Sequence, residues 1–215
     1  MFRDRTEAGR QLAQALAAYA RDPSAVVLGV PRGGVVVAAE VATRLDLPLD
    51  VVIAAKVGAP GNPEFAAGAV AADGVVTPNE RAGYSADDLE AGAAEARRLI
   101  EHRLAAFRGS RPAPELAERT VIVVDDGIAT GLTARSAIEY LRRQGAKHVV
   151  LGVPVMPPDS ARMLRKVADE VVALETPSMF WAVGQFYEHF GQTEDSEVVR
   201  LLDEAHVRVA SGGKA

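Results

Sequence analysis

Runs of apolar residues of strand length alternate with segments of helical period from one end of the chain to the other. Residues 25–30 read Ala-Val-Val-Leu-Gly-Val, and 120–124 read Thr-Val-Ile-Val-Val. Further apolar runs occupy 49–55, 147–153 and 170–174. A strand that is apolar on both faces has to be covered on both faces, which is the condition of a parallel sheet between helix layers. Between the runs lie helical patterns at about 5–20, at Ala38, Val41, Ala42 and Leu45, and at about 86–107, 133–144, 159–167 and 195–205. The expectation is an α/β fold with a mostly parallel central sheet flanked by helices. In such a sheet ligands bind beyond the carboxyl ends of the strands. The loops after residues 30, 56, 124 and 153 are therefore the places to search.

Composition narrows the chemistry. The 215 residues contain no Cys, which excludes disulfides, thiolate metal sites and cysteine nucleophiles. The 4 His residues are not at metal-ligand spacing, so a histidine-rich zinc site is not expected, and no residue is singled out as a metal ligand. A net charge of -5 argues against a nucleic-acid binder. No apolar run is long enough to span a membrane. Met1–Arg5 alternates charges without an apolar core behind it, so a signal peptide is not expected and a cytoplasmic location is. One domain over 1–215 is the expected organisation.

The segment 58–64, Gly-Ala-Pro-Gly-Asn-Pro-Glu, reads as loop. A hairpin is expected after it, with 68–72 and 75–77 flanking Asp73-Gly74. Residues 109–114 read as a linker, and the final residues 211–215 as a frayed end.

The sharpest motif is Val121-Ile122-Val123-Val124-Asp125-Asp126-Gly127-Ile128-Ala129-Thr130-Gly131-Leu132-Thr133. An apolar strand ends in adjacent carboxylates, then a loop of small residues enters a helix. Two neighbouring carboxylates suit a cis-diol, each accepting one hydroxyl. Amides from Gly127 to Thr133, with the helix N-terminus behind them, suit an anion, and Thr130 and Thr133 add hydroxyl donors. The alternative is a polar turn with a threonine helix cap.

This stretch resembles the phosphoribosyl pyrophosphate (PRPP) signature of the type I phosphoribosyltransferases, and the resemblance extends over about 25–190. It implies that Asp125 and Asp126 hold the ribose hydroxyls. It also implies that Gly127, Ile128, Ala129, Thr130 and Gly131 wrap the 5-phosphate, with Thr133 at the edge. Ala129 stands where the family more often has Thr, so one hydroxyl donor is missing.

Gly29-Val30-Pro31-Arg32-Gly33-Gly34 after the first strand lacks the spacing of a dinucleotide site or a nucleotide P-loop. It is similar to the family's pyrophosphate loop, often built on a strained or cis peptide. The resemblance assigns Pro31, Arg32, Gly33 and Gly34 to pyrophosphate; a solvent-facing Arg32 on an ordinary turn is the other reading. Lys56, one of 4 Lys, closes the second apolar run and is a second candidate cation, or else a lysine snorkelling at the sheet rim. Segment 58–84 corresponds to the family's mobile loop and hairpin, and Asn62 and Glu64 could reach pyrophosphate-bound Mg2+ through water or simply shape the turn.

Segment 176–194 is a candidate hood, with Trp181, Phe186 or Tyr187 offering a stacking surface for an acceptor, or else buried on an amphipathic helix. The resemblance thus implies transfer of phosphoribose from PRPP to a nitrogenous base, with Mg2+ carried mainly by the pyrophosphate. It leaves room for a homodimer and for a non-catalytic regulator on the same fold.

Overall fold

The computed structural model describes residues 1–80 and 82–212, apart from the side chains of Pro63 and Glu64. Five strands form a parallel sheet: β1 (Ala25–Gly29), β2 (Leu49–Val51), β6 (Thr120–Val124), β7 (His148–Val155) and β8 (Glu170–Glu175), in the order β2-β1-β6-β7-β8. Three more, β3 (Ala54–Ala59), β4 (Asn62–Ala71) and β5 (Val76–Pro78), form an antiparallel sheet in that order. The helices are α1 (Arg5–Ala15), α2 (Gly33–Leu45), α3 (Ala86–Arg108), α4 (Leu132–Arg143), α5 (Pro158–Leu164) and α6 (Asp195–Gly212).

The expected α/β architecture is present, and its apolar strands are apolar for the expected reason. Val27, Ile122, Val124 and Val150 pack on one face against Leu12 of α1, Leu16 just past its end, and Val37, Val41 and Leu45 of α2. Leu28, Val121, Val123 and Leu151 pack on the other against Ile138, Leu141 and Leu164 of α4 and α5. Each such side chain contributes about 1.5–3 kcal/mol when fully removed from water. The second sheet has its own core, in which Val57 and Val70 meet Leu89, Ala93 and Ile100 of α3 and Val198 and Leu202 of α6. Helix α3 starts with a reciprocal cap, Ser85 accepting from the Asp88 amide and Asp88 from that of Ser85.

The second apolar run is not one strand. Only Leu49–Val51 pairs with β1; the amide of Val52 makes the last bond to it, donating to Gly29, and the chain then leaves for β3. The segment 58–64 is likewise not all loop. β3 runs to Ala59 and β4 begins at Asn62, leaving Pro60-Gly61 as the turn, with Gly61 at φ 74°. Register shifts on both sides of Gly58 absorb the mismatch. The expected Asp73-Gly74 hairpin is present as β4–β5, with Gly74 at φ 77°.

Helix α1 stops at Ala15, and a short 3-10 turn, Ala17–Tyr19, follows it. At the other end α6 continues through Gly212, so Ser211 and Gly212 are helical; Gly213, Lys214 and Ala215 lie outside the described residues. Among the described residues no helix is long and apolar enough to cross a membrane.

The topology selects one crevice. From β1 the chain steps outward to β2, and β6 then takes β1's other side. The connections after β1 and β6 therefore leave in opposite directions, and a gap opens between their carboxyl ends. Gly29 and Val124 are partners in register, so the Pro31–Gly34 loop and the acidic pair emerge side by side.

Candidate functional site

The two loops touch closely enough to require glycine. A Cβ on Gly34 would lie 2.8 Å from both Cα and Oδ1 of Asp125. One on Gly33 would lie 2.6 Å from Nε of Arg5 and nearer still to Oδ2 of Asp126. Gly33 and Gly34 are thus the residues that let the first loop close over the carboxylates.

Asp125 accepts the Asp126 amide on Oδ1 at 2.8 Å. Burial pushes the Asp125 carboxyl well above its usual range, and the neighbouring Asp126 charge pushes it further. Burial raises Asp126 as well, while the Arg5 guanidinium, 2.6 Å away, pulls in the opposite direction.

Behind the pair, the loop splits into anchors and donors. The Ile128 amide donates to the Val155 carbonyl at 3.0 Å and the Ile128 side chain is buried, so Ile128 holds the loop down instead of facing an anion. The amides of Gly127, Ala129, Thr130 and Gly131 donate to no protein acceptor among the described residues, and α4 has no side-chain cap. Thr130 is exposed and Thr133 half-buried at the mouth of that helix. Ser160 of α5, itself buried, donates to the Ala129 carbonyl at 2.5 Å. Because carbonyl and amide point oppositely across a trans peptide, this bond turns the Thr130 amide away from α5. Gly131 sits at φ 79°, with Met163 and Leu164 packed where a side chain would go.

The first loop repeats the pattern. Helix α2 begins at Gly33 without a side-chain cap, after a cis Pro31–Arg32 peptide. Arg32 is half-buried and lies 3.8 Å from Asp195 at the start of α6. Two uncapped helix N-termini thus flank one acidic pair, an arrangement that accommodates two anionic groups with a hydroxylated group between them.

Residues 176–194 form an irregular cover containing a 3-10 turn at Val183–Phe186. Val183 fills the space a side chain on Gly127 would need. Gln185 ties the cover together, accepting the amides of Trp181 (2.9 Å) and Ala182 (3.2 Å) and donating to the Met179 carbonyl. Trp181 projects from it, 87% exposed.

A phosphoribosyl transferase domain model matches residues 4–190. The chain belongs to that family. It is also 48% identical over 217 residues to the Mycobacterium tuberculosis H37Rv protein named "Putative phosphoribosyl transferase Rv0571c", covering 99% of this chain and 49% of the relative. The chain thus spans about half the length of the curated relatives it matches. A Lactobacillus gasseri uracil phosphoribosyltransferase is 32% identical over 84 residues, 38% of this chain and 40% of that protein. Among solved structures, TT1426 from Thermus thermophilus superposes with a TM-score of 0.82 at 46% identity, covering 94% of this chain and 98% of that one.

Within this phosphoribosyl transferase domain the expected site residues separate into two groups. Pro31, Arg32, Gly33, Gly34, Asp125, Asp126 and the 127–133 loop meet at one crevice. Lys56 does not share that row of strand ends. It lies exposed in the middle of β3, opposite Ala69 in the antiparallel sheet, because the apolar run that was expected to end at Lys56 breaks after Val52. Tyr187 is buried between Phe2 and Phe190, its ring 5.5 and 5.0 Å from theirs, and so presents no open stacking face. Its hydroxyl donates instead to the Asp126 carbonyl at 2.5 Å. Asn62 opens β4 beside the turn, and the side chain of Glu64 lies outside the described residues. Among the described residues no three His, Cys, Asp or Glu side chains cluster as a metal ion would require. Arg5, Ser160 and Asp195 were not legible as residues of this crevice, since each comes from an unrelated stretch of sequence and none lies in a motif; Gln185 lies within the candidate hood, but its role in tying the backbone of 179–182 together was not legible there.

Proposed function

We propose that the domain transfers the 5-phosphoribosyl group from PRPP to a nitrogenous base or similar heterocycle, releasing pyrophosphate. The observation that carries this reading is the pair of uncapped helix N-termini on either side of Asp125 and Asp126. The 127–133 loop would hold the 5-phosphate, the carboxylates the ribose hydroxyls, and Arg32 with the α2 N-terminus the pyrophosphate. Mg2+ bound to the pyrophosphate would offset part of its charge. In the reaction the anomeric C–O bond to pyrophosphate breaks, its electron pair leaves with the oxygen, and a lone pair on the acceptor nitrogen forms the new C–N bond. The acceptor's proton passes to solvent. Charge grows on the leaving group only as the bond breaks, so Arg32 would act most strongly in the transition state. Segment 58–84 would exclude water by closing over the donor, and Trp181 would supply an acceptor surface. Such a domain would work in the cytoplasm on small molecules, without nucleic acid or membrane, as a monomer or homodimer.

A second reading is a PRPP-binding regulator without turnover. Two placements favour it: Arg32 lies near Asp195, and Lys56 lies off the strand-end row. Purines, pyrimidines and other heterocycles incubated with labelled PRPP and Mg2+ decide between the readings. Release of pyrophosphate together with a new glycosidic product is the expected result. Donor binding with no product from any acceptor supports the regulator, and no PRPP binding at millimolar concentration overturns both.

A further inference from the structure

Asp126 is met by an arginine from the far end of the chain. Arg5, the first residue of α1, places Nε 2.6 Å from Oδ2 of Asp126, and both side chains are nearly buried, at 12% and 14% exposure. The same guanidinium donates to the Gly191 carbonyl at 2.7 Å and lies 3.9 Å from the centre of the Phe190 ring. Three partners in three directions fix a planar cation far better than one exposed carboxylate would. The Arg5 backbone is placed by pairing of the N-terminal segment with the cover: the amide of Phe2 donates to Phe186, that of Glu188 to Phe2, and that of His189 to Arg3, at 2.8–2.9 Å. The groups that act on the Asp126 carboxyl come from two elements: α1 supplies Arg5, and the end of β6 supplies Asp125, whose carboxyl is hydrogen-bonded to that of Asp126. The cover binds only the main chain there, through the Tyr187 hydroxyl, and the start of α2, with Arg32 as its N-cap residue, brings Gly33 against Oδ2.

A sugar diphosphate poses a charge problem for this site. Its phosphates must settle beside two adjacent carboxylates in a half-buried crevice, where repulsion is poorly screened. We propose that Arg5 is a positioning residue of the sugar-phosphate site: it commits Oδ2 of Asp126, leaves Oδ1 to accept a sugar hydroxyl, and offsets one of the two negative charges a polyanion would meet. This inference rests on the reading of the site given above. Arg5 acts through Asp126 and makes no contact with the reacting atoms.

Calorimetric titration with ribose 5-phosphate between about pH 5 and pH 8, on wild type, Arg5→Gln and Arg5→Lys, tests it. Loss of the charge-assisted contact should weaken binding by about tenfold or more in Arg5→Gln. The acidic limb of its binding curve should also move to higher pH, because Asp126 has lost the cation favouring its ionised form. Arg5→Lys, which restores charge but not the fork, should lie between wild type and Arg5→Gln in both respects. Carbon-13 titration of the Asp126 carboxyl in all three proteins should follow the same order without ligand. A merely structural role would lower affinity without moving the pH limb or the carboxyl titration. If Arg5→Gln does not fold, the comparison of Arg5→Lys with wild type decides, and superimposed curves overturn the proposal. Tighter binding by either variant also overturns it, since Arg5 would then be an obstruction. Wild type that binds neither ribose 5-phosphate nor PRPP overturns the reading of the site and removes this proposal with it.

Discussion

Gly127→Ala tests whether the cover and the 127–133 loop are one mechanical unit. The backbone at Gly127 is not in the left-handed region, so a methyl there meets only a steric objection. That methyl would lie 3.0 Å from Cγ2 of Val183, nearer still to its Cγ1, and 3.1 Å from Cγ1 of Val155. Comfortable carbon contacts begin near 3.5 Å, so the cover must lift or the loop must sink. Overpacking of this kind costs about 1–3 kcal/mol. With a denaturant slope near 2 kcal/mol per molar, a loss of about 2 kcal/mol lowers the urea midpoint by about 1 M. Val183→Ala alone removes two methyls at a half-buried position and should cost about 1 kcal/mol or less. The double variant should be more stable than the sum of the singles by about 1–2 kcal/mol, because the truncated valine leaves room for the new methyl. PRPP affinity should follow the same pattern, falling in Gly127→Ala and recovering in the double variant. Urea unfolding and calorimetry on the four proteins read both effects. Additive losses, or a Gly127→Ala protein indistinguishable from wild type, would refute the reasoning.

Three further substitutions separate binding from stability. The Asp125 carboxyl is raised well above 3.8 in the folded state, mainly by burial, so the native protein holds that proton more tightly than the unfolded chain. Its ionisation therefore costs stability as pH rises above about 4. Asp125→Asn should melt at a higher temperature than wild type at neutral pH, with the advantage fading toward about pH 4, while PRPP affinity drops about tenfold or more; a lower melting point at pH 7 would contradict the assignment. Trp181→Ala should leave thermal melting unchanged, because the ring is 87% exposed, and raise the acceptor KM. Tyr187→Phe, which removes a buried hydroxyl bonded to the Asp126 carbonyl, should instead cost about 1 kcal/mol of stability. Thermal melts and steady-state kinetics on both variants check the contrast.

The residues that could be read from the sequence are those whose roles depend on their immediate neighbours. Residues 25–30 and 120–124 are apolar on both faces and could only be covered strands. Asp125-Asp126 followed by small residues and a helix leaves backbone amides at a helix N-terminus wherever the strand is placed. The break after Val52 was not legible, because an apolar run does not say which of two sheets each half will join. That break is what moved Lys56 off the strand-end row. The aromatic tail was equally ambiguous. On irregular backbone there is no period to separate inside from outside, and only packing against Phe2 turned Tyr187 inward while Trp181 was left in solvent.

Arg5 marks the limit most clearly. It is separated from Asp126 by 121 positions, in a segment whose charges alternate like any solvated terminus. Only the pairing of the N-terminal segment with residues 186–189 carries it to the acidic pair. Sequence pattern determined that a parallel sheet would form and that small-residue loops would lead from its strand ends into helices, since these follow from periodicity and local backbone chemistry; the strand order that opens the crevice was decided by the tertiary structure. Which charges face one another across that crevice was decided by the tertiary structure, because a Coulomb interaction depends on distance in space and leaves no period along the chain.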